Sequence, residues 1–163
     1  MSQRMPVDRP TNDQVDAVLA ASRVLVAVSA ASIAAIDETV TLPQLRALTA
    51  VASRGTMNSA TLAEALGVHA SSATRICDRL VSAGLLGRRD DPADRRHLQL
   101  YLTEAGRQLV EAVTRRRRDS IARILSNVPA ADREAMAATF ERFAAAGGEP
   151  RPNDLWTMGW QAK

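Results

Sequence analysis

Four hydrogen-bonding side chains, Ser71, Ser72, Thr74 and Arg75, fall within five residues at the start of a segment that reads as a helix. Further on, the run DDPADRRH sets Asp90, Asp91 and Asp94 beside the adjacent Arg95 and Arg96. Small hydroxyls allow a helix to approach a surface closely, and a guanidinium beside them reaches guanine edges or phosphate, so the first group suits the major groove of duplex DNA. A slim hairpin tip carrying arginine suits a narrow minor groove, where the negative potential is enhanced. Asp94 lies two residues before Arg96, close enough to orient its guanidinium through a charge-assisted hydrogen bond. The plainer alternatives are an ordinary solvated helix face for the first group and a turn of mutually compensating surface ion pairs for the second.

Other chemistries are poorly served. His69, His97 and Cys77 match no metal-ligand spacing, so neither a metal nor another cofactor is expected. The sequence has no glycine-rich phosphate loop, no Ser-His-Asp arrangement and no strand–helix alternation, which argues against an enzyme. Cys77 follows Ile76 near the apolar side of its helix and reads as a buried, inert thiol; a cysteine-based redox switch is the alternative. The run Arg115 to Arg118 covers more than one helical turn and has Glu111 and Asp119 at helical spacing from Arg115, the pattern of a solvated face.

The elements that must position these residues are mostly helical. Thr11-x-x-Gln14 and Thr41-x-x-Gln44 both have the form of a capping box, and Pro43 falls in a first turn where its missing N–H costs little. The first opens a long helix whose apolar residues, from Val15 to Ile36, surround it too completely for a lone surface helix. The second opens a helix to about Ser53. Asn58 is the expected N-cap of a short helix ended by Gly67, and a further helix follows over roughly Ser71 to Ser82. Two short helices across so tight a turn make a helix-turn-helix. Ala73, Ile76, Leu80 and Ala83 supply the core side of the second. Leu85 and Leu86 begin a strand, Asp90 to Asp94 form its turn, and His97 to Leu102 return with leucines on one face, making a β-hairpin wing. Thr103 starts a long helix, Pro129 opens a last one ending near Ala146, and the Gly- and Pro-rich remainder reads as irregular.

The totals agree. The chain has 163 residues, enough for one domain with an accessory helical layer, and aromatics make up only 3% of it. Its net charge is +3, from 21 Lys+Arg against 18 Asp+Glu, so position rather than total decides whether arginines meet phosphate. Its single cysteine excludes an internal disulfide. No uncharged run reaches the roughly 18 apolar residues of a membrane span, the nearest, Val24 to Ile36, being interrupted by serines. The start MSQRMPVDRP lacks the apolar core of a secretory signal, and the expectation is a cytoplasmic protein without a membrane partner.

Together, LAEALGVHASSATRICDRLVSAGLLGRRDDPADRRHLQLYLTEAG, with its Gly-Val turn, G-L-L strand, D-x-R wing and L-T-x-x-G exit, resembles the MarR family of winged-helix transcriptional regulators. The resemblance extends over about Thr11 to Ala146. It implies a mainly α fold, a winged helix-turn-helix carrying a helical dimerisation layer built from the N- and C-terminal helices. The divisions are a disordered lead over 1–10, dimerisation helices over 11–38 and 103–146, the DNA-binding domain over 39–102 and an irregular tail over 147–163. It implies a homodimer on a pseudo-palindromic double-stranded DNA operator, with repression as the expected outcome. Arg96, oriented by Asp94, takes the position of the arginine that enters the minor groove, and Arg95 is expected on the backbone. A small phenolic or aromatic acid effector is also implied, for which Thr74 and Arg88 match a salicylate-contacting hydroxyl and guanidinium of the family's founding member. The rival reading is a winged-helix module that binds a protein partner.

Overall fold

The computed structural model describes residues 9–90 and 98–148. Helix α1 (Asn12–Ala34) opens with the expected capping box: Thr11 Oγ1 accepts from the Gln14 N–H at 3.3 Å, and Gln14 Oε1 accepts from the Thr11 N–H at 2.9 Å. Helix α2 (Leu42–Arg54) repeats it with Thr41 and Gln44, Pro43 lying in its first turn. In the link between them, Thr39 donates from its N–H and its hydroxyl to the Asp37 carboxylate, which these bonds hold below the usual carboxylate range.

Helix α3 (Ser59–Leu66) is capped by Asn58, whose side chain accepts from the Thr61 N–H at 2.8 Å, and ends on Gly67 at φ 66°, a left-handed conformation that favours glycine. Helix α4 (Ala70–Ser82) follows at once. Strands β1 (Leu86–Asp90) and β2 (Leu98–Leu102) pair antiparallel, with Leu86 opposite Leu102, Arg88 opposite Leu100 and Asp90 opposite Leu98. Helix α5 (Glu104–Ser126) is capped by Thr103, and α6 (Ala130–Ala146) follows Pro129. The mainly helical architecture and the wing are those expected.

The core is shared by the winged unit and the base of the long helices. Leu48, Leu62, Leu80, Leu86, Leu100 and Val113 are fully buried, drawn from α2, α3, α4, the two strands and α5. Met57 and Leu100 exchange backbone hydrogen bonds at 2.8 and 3.3 Å, adding an isolated bridge beside β2 that no local pattern announces. Thr103 joins the wing to α5: its Oγ1 accepts from the Gly106 N–H at 3.0 Å and donates to the Gly84 carbonyl at 2.7 Å. Gly106 packs so tightly under the wing that a Cβ there would collide with the Leu85 carbonyl oxygen. The L-T-x-x-G exit is therefore a structural joint.

The sequence expectations for α1 and for the end of α4 need correction. Helix α1, with 23 residues and a mean hydropathy of 1.9 over its most apolar stretch, is long and apolar enough to cross a membrane by length and composition. Its serines do not interrupt the helix, because Ser29 Oγ donates to the Leu25 carbonyl at 2.8 Å and Ser32 Oγ to the Val28 carbonyl at 2.7 Å, each satisfied within the helix itself. Ala83, expected in the core, is exposed, because the helix ends there and its backbone serves as the C-cap.

The terminal helices are incompletely covered. On α1, Val15, Val18, Leu19, Leu25 and Val26 lie on one stripe whose C-terminal continuation, Ser29 and Ile33, is buried against the rest of the chain. Val26 is 56% exposed. On α6 no residue is buried, and Phe143 is 57% exposed.

Candidate nucleic-acid interface

Helix α4 has two chemically distinct sides. Ala73, Cys77 and Leu80 are buried at four- and three-residue steps, with Ile76 half-buried beside them. Ser71, Ser72, Thr74, Arg75, Asp78 and Arg79 are exposed. All four expected DNA-contacting residues of this helix thus lie outside the core. The sequence reading missed Arg79, one turn beyond Arg75, although the i, i+4 spacing carries that signal.

The start of α4 differs from that of α1, α2, α3 and α5, each of which has a side-chain cap. His69 serves as its N-cap residue with no side-chain hydrogen bond to the first turn. Orphan N–H groups at such an end are suited to phosphate oxygens.

The wing's arginines separate by strand alternation. Arg88 lies on the core-facing side of β1 with Leu86 and forms an ion pair and hydrogen bond with the Asp78 carboxylate of α4. Arg89 lies on the other side, with its guanidinium carbon 5.7 Å from the centroid of the Tyr101 ring. That ring occupies the space that a side chain at Gly87 would fill. Arg89 also escaped the sequence reading; its placement follows from the period-two alternation once the strand's register is known. Asp94, Arg95 and Arg96 lie outside the described residues.

The two residues assigned to an effector are otherwise engaged. Thr74 Oγ1 donates to the Ala70 carbonyl at 2.9 Å, and Arg88 is held by Asp78. Among the described residues, neither lines either of two open depressions, one of about 550 Å³ at the α3–α4 turn and one of about 420 Å³ between α1 and α5.

Cys77 is fully buried beneath this surface. Burial pushes its thiol above the ordinary value; the nearby Arg88 charge opposes that shift and the Asp78 charge adds to it. A raised pKa leaves little thiolate at neutral pH.

In the α5 run, Arg115, Arg116 and Arg118 are exposed and Arg115 lies 3.9 Å from Glu111, as expected for a solvated face. Arg117 departs from that expectation: it is half-buried, with its Nε enclosed and without a hydrogen-bond partner. Among the described residues no group of three or more His, Cys, Asp or Glu is arranged to hold a metal ion.

Comparison with known proteins agrees with this geometry. The family model described as MarR family matches residues 40–98. An uncharacterized HTH-type transcriptional regulator of Mycobacterium bovis is 34% identical over 95 residues, which are 58% of this chain and 66% of that protein, just under two thirds of its length. The crystal structure of RV1404 from Mycobacterium tuberculosis superposes with a TM-score of 0.83 at 44% identity, covering 90% of this chain and 99% of that one. At 19% identity, the structure of a MarR mutant from E. coli shares the fold, with a TM-score of 0.70 over 87% of this chain and 98% of that one. The sequence motifs, the two-sided α4, the wing and these likenesses together show that the chain belongs to the MarR family of winged helix-turn-helix transcriptional regulators.

Proposed function

We propose that this regulator acts as a cytoplasmic homodimer, binds a pseudo-palindromic DNA operator and represses transcription. The carrying observation is the division of α4: its core side is sealed by Ala73, Cys77 and Leu80, while Ser71, Ser72, Thr74 and Arg75 are presented together outside the core. Each protomer inserts α4 in a major groove, and Arg96, oriented by Asp94, reaches the adjoining minor groove while Arg95 contacts the backbone. Half-sites then lie about 10 bp apart.

The dimer reading is supported by the uncovered stripe of α1 and by α6, no residue of which is fully buried among the described residues. Helices in proteins draw most of their stability from packing an apolar face, and α6 leaves Phe140 and Phe143 exposed. A second copy, contributing the same stripes about a twofold axis, covers both without requiring a membrane or a foreign partner.

Binding assays of alanine variants test the DNA reading on a duplex that the wild-type protein selects from a random-sequence library. Arg75→Ala is expected to weaken binding by about 1–3 kcal/mol if Arg75 reads a base edge, together with relaxed preference at one position of each half-site. Ser72→Ala is expected to give a smaller loss. If both variants bind the selected duplex as wild type does, the α4 assignment fails.

The effector reading is a small aromatic acid taken up by Thr74 and Arg88. Because Asp78 already occupies Arg88, such a carboxylate has to compete with it. Thermal-shift measurement with salicylate is expected to show a rise in Tm that Arg88→Ala abolishes; an equal rise in that variant places the ligand elsewhere.

A further inference from the structure

We infer that Asp78 is a positioning residue for DNA recognition: through Arg88 it fixes the wing against α4, so that the two groove-reading elements engage DNA at one set angle. This rests on the DNA-binding reading above. The base of the wing is secured by backbone and capping bonds, the Leu85 N–H to the Leu80 carbonyl at 2.9 Å and Thr103 Oγ1 to the Gly84 carbonyl at 2.7 Å. Farther out, Leu86 is buried, whereas Arg89 and Asp90 are exposed. Among the described residues, the Asp78–Arg88 pair is the outermost hydrogen bond joining β1 to α4.

The location of the carboxylate makes this role specific. Asp78 lies on the exposed side of α4 with Arg75 and Arg79, on a surface that has to approach phosphates. An unpaired carboxylate there repels DNA and opposes binding. Pairing with Arg88 neutralises it locally and uses both side chains as a strut from the groove-reading helix to the wing. The pair is partly exposed, 35% for the Arg88 side chain and 54% for Asp78, so it contributes little to global stability. Its effect lies in where the wing points.

The sign of one substitution separates a strut from a bystander. On the library-selected duplex, Asp78→Asn and Asp78→Ala are expected to bind about tenfold more weakly than wild type, with Asp78→Glu recovering most of the loss. The dependence of affinity on salt stays as in wild type, since no phosphate contact is removed. Hydroxyl-radical protection fades at the minor-groove positions covered by the wing and persists beside α4. Unchanged melting temperatures confirm that the variants fold. Equal or tighter binding by Asp78→Asn, with wing protection intact, overturns the inference, because loss of a mere bystander charge relieves repulsion. A shallower salt dependence also overturns it, as the mark of a lost phosphate contact. If wild type selects no duplex, the DNA reading has failed first, and the positioning role with it.

Discussion

Gly106→Ala is expected to lower the melting temperature by roughly 5–10 °C, corresponding to about 2–3 kcal/mol of overpacking in a domain of this size. Ordinary glycine effects do not explain so large a change. Gly106 is the third residue of α5, in the capped first turn, and even in a helix interior alanine is favoured over glycine by up to about 1 kcal/mol, so helix propensity gives no reason for a loss. Packing reverses the sign: an added Cβ meets the backbone oxygen of Leu85 and comes within 3.0 Å of Leu102 Cδ2. A carbonyl at a strand entrance cannot rotate away as a flexible side chain can. Moving it would also disturb the Thr103 cap and its bond to Gly84, so the wing should shift with the helix. Thermal denaturation followed by circular dichroism checks this. A Tm equal to or above wild type would show that the joint relaxes freely.

The second large effect is expected from paired charges on α1. With Leu19→Asp and Val26→Asp, the chain should sediment near 17.5 kDa instead of twice that mass. Both side chains are substantially exposed in the single chain, so the substitutions leave the winged core intact. In the proposed dimer they become unpaired carboxylates in an apolar contact, a cost of several kcal/mol per protomer. DNA affinity should fall by about 100-fold or more, because the second lobe no longer gains from the effective concentration that linkage provides. Sedimentation velocity and a binding titration on the same samples check both statements. A variant that still sediments as a dimer would place the interface elsewhere.

Local signals explain what the sequence revealed well. Thr11, Thr41, Asn58 and Thr103 cap their helices with partners three residues away, so each start was readable from a short window. The paired strands followed from alternating leucines, although Leu98, at the outer end of that face, remains exposed. What stayed hidden was non-local. The Met57 bridge to Leu100 joins positions separated by the whole helix-turn-helix. Arg88 looked available to an anion because its partner, Asp78, lies ten residues back on a different element. The apolarity of α1 was underestimated because serines were counted as interruptions, whereas in a helix each hydroxyl is satisfied one turn back. Ala83 failed for the opposite reason: a helical spacing was extended past the point where the helix ends.

Hydroxyl-radical footprinting on a duplex selected by the wild-type chain reports the twofold arrangement and the wing's contacts in one experiment. A dimer that reads both grooves gives two equivalent protected segments about one helical turn apart, each with backbone positions flanking α4 that are sensitive to Arg75→Ala and adjoining minor-groove positions sensitive to Arg96→Ala, all lost steeply as salt rises. A single protected segment, or a pattern unaffected by either substitution, would contradict that arrangement.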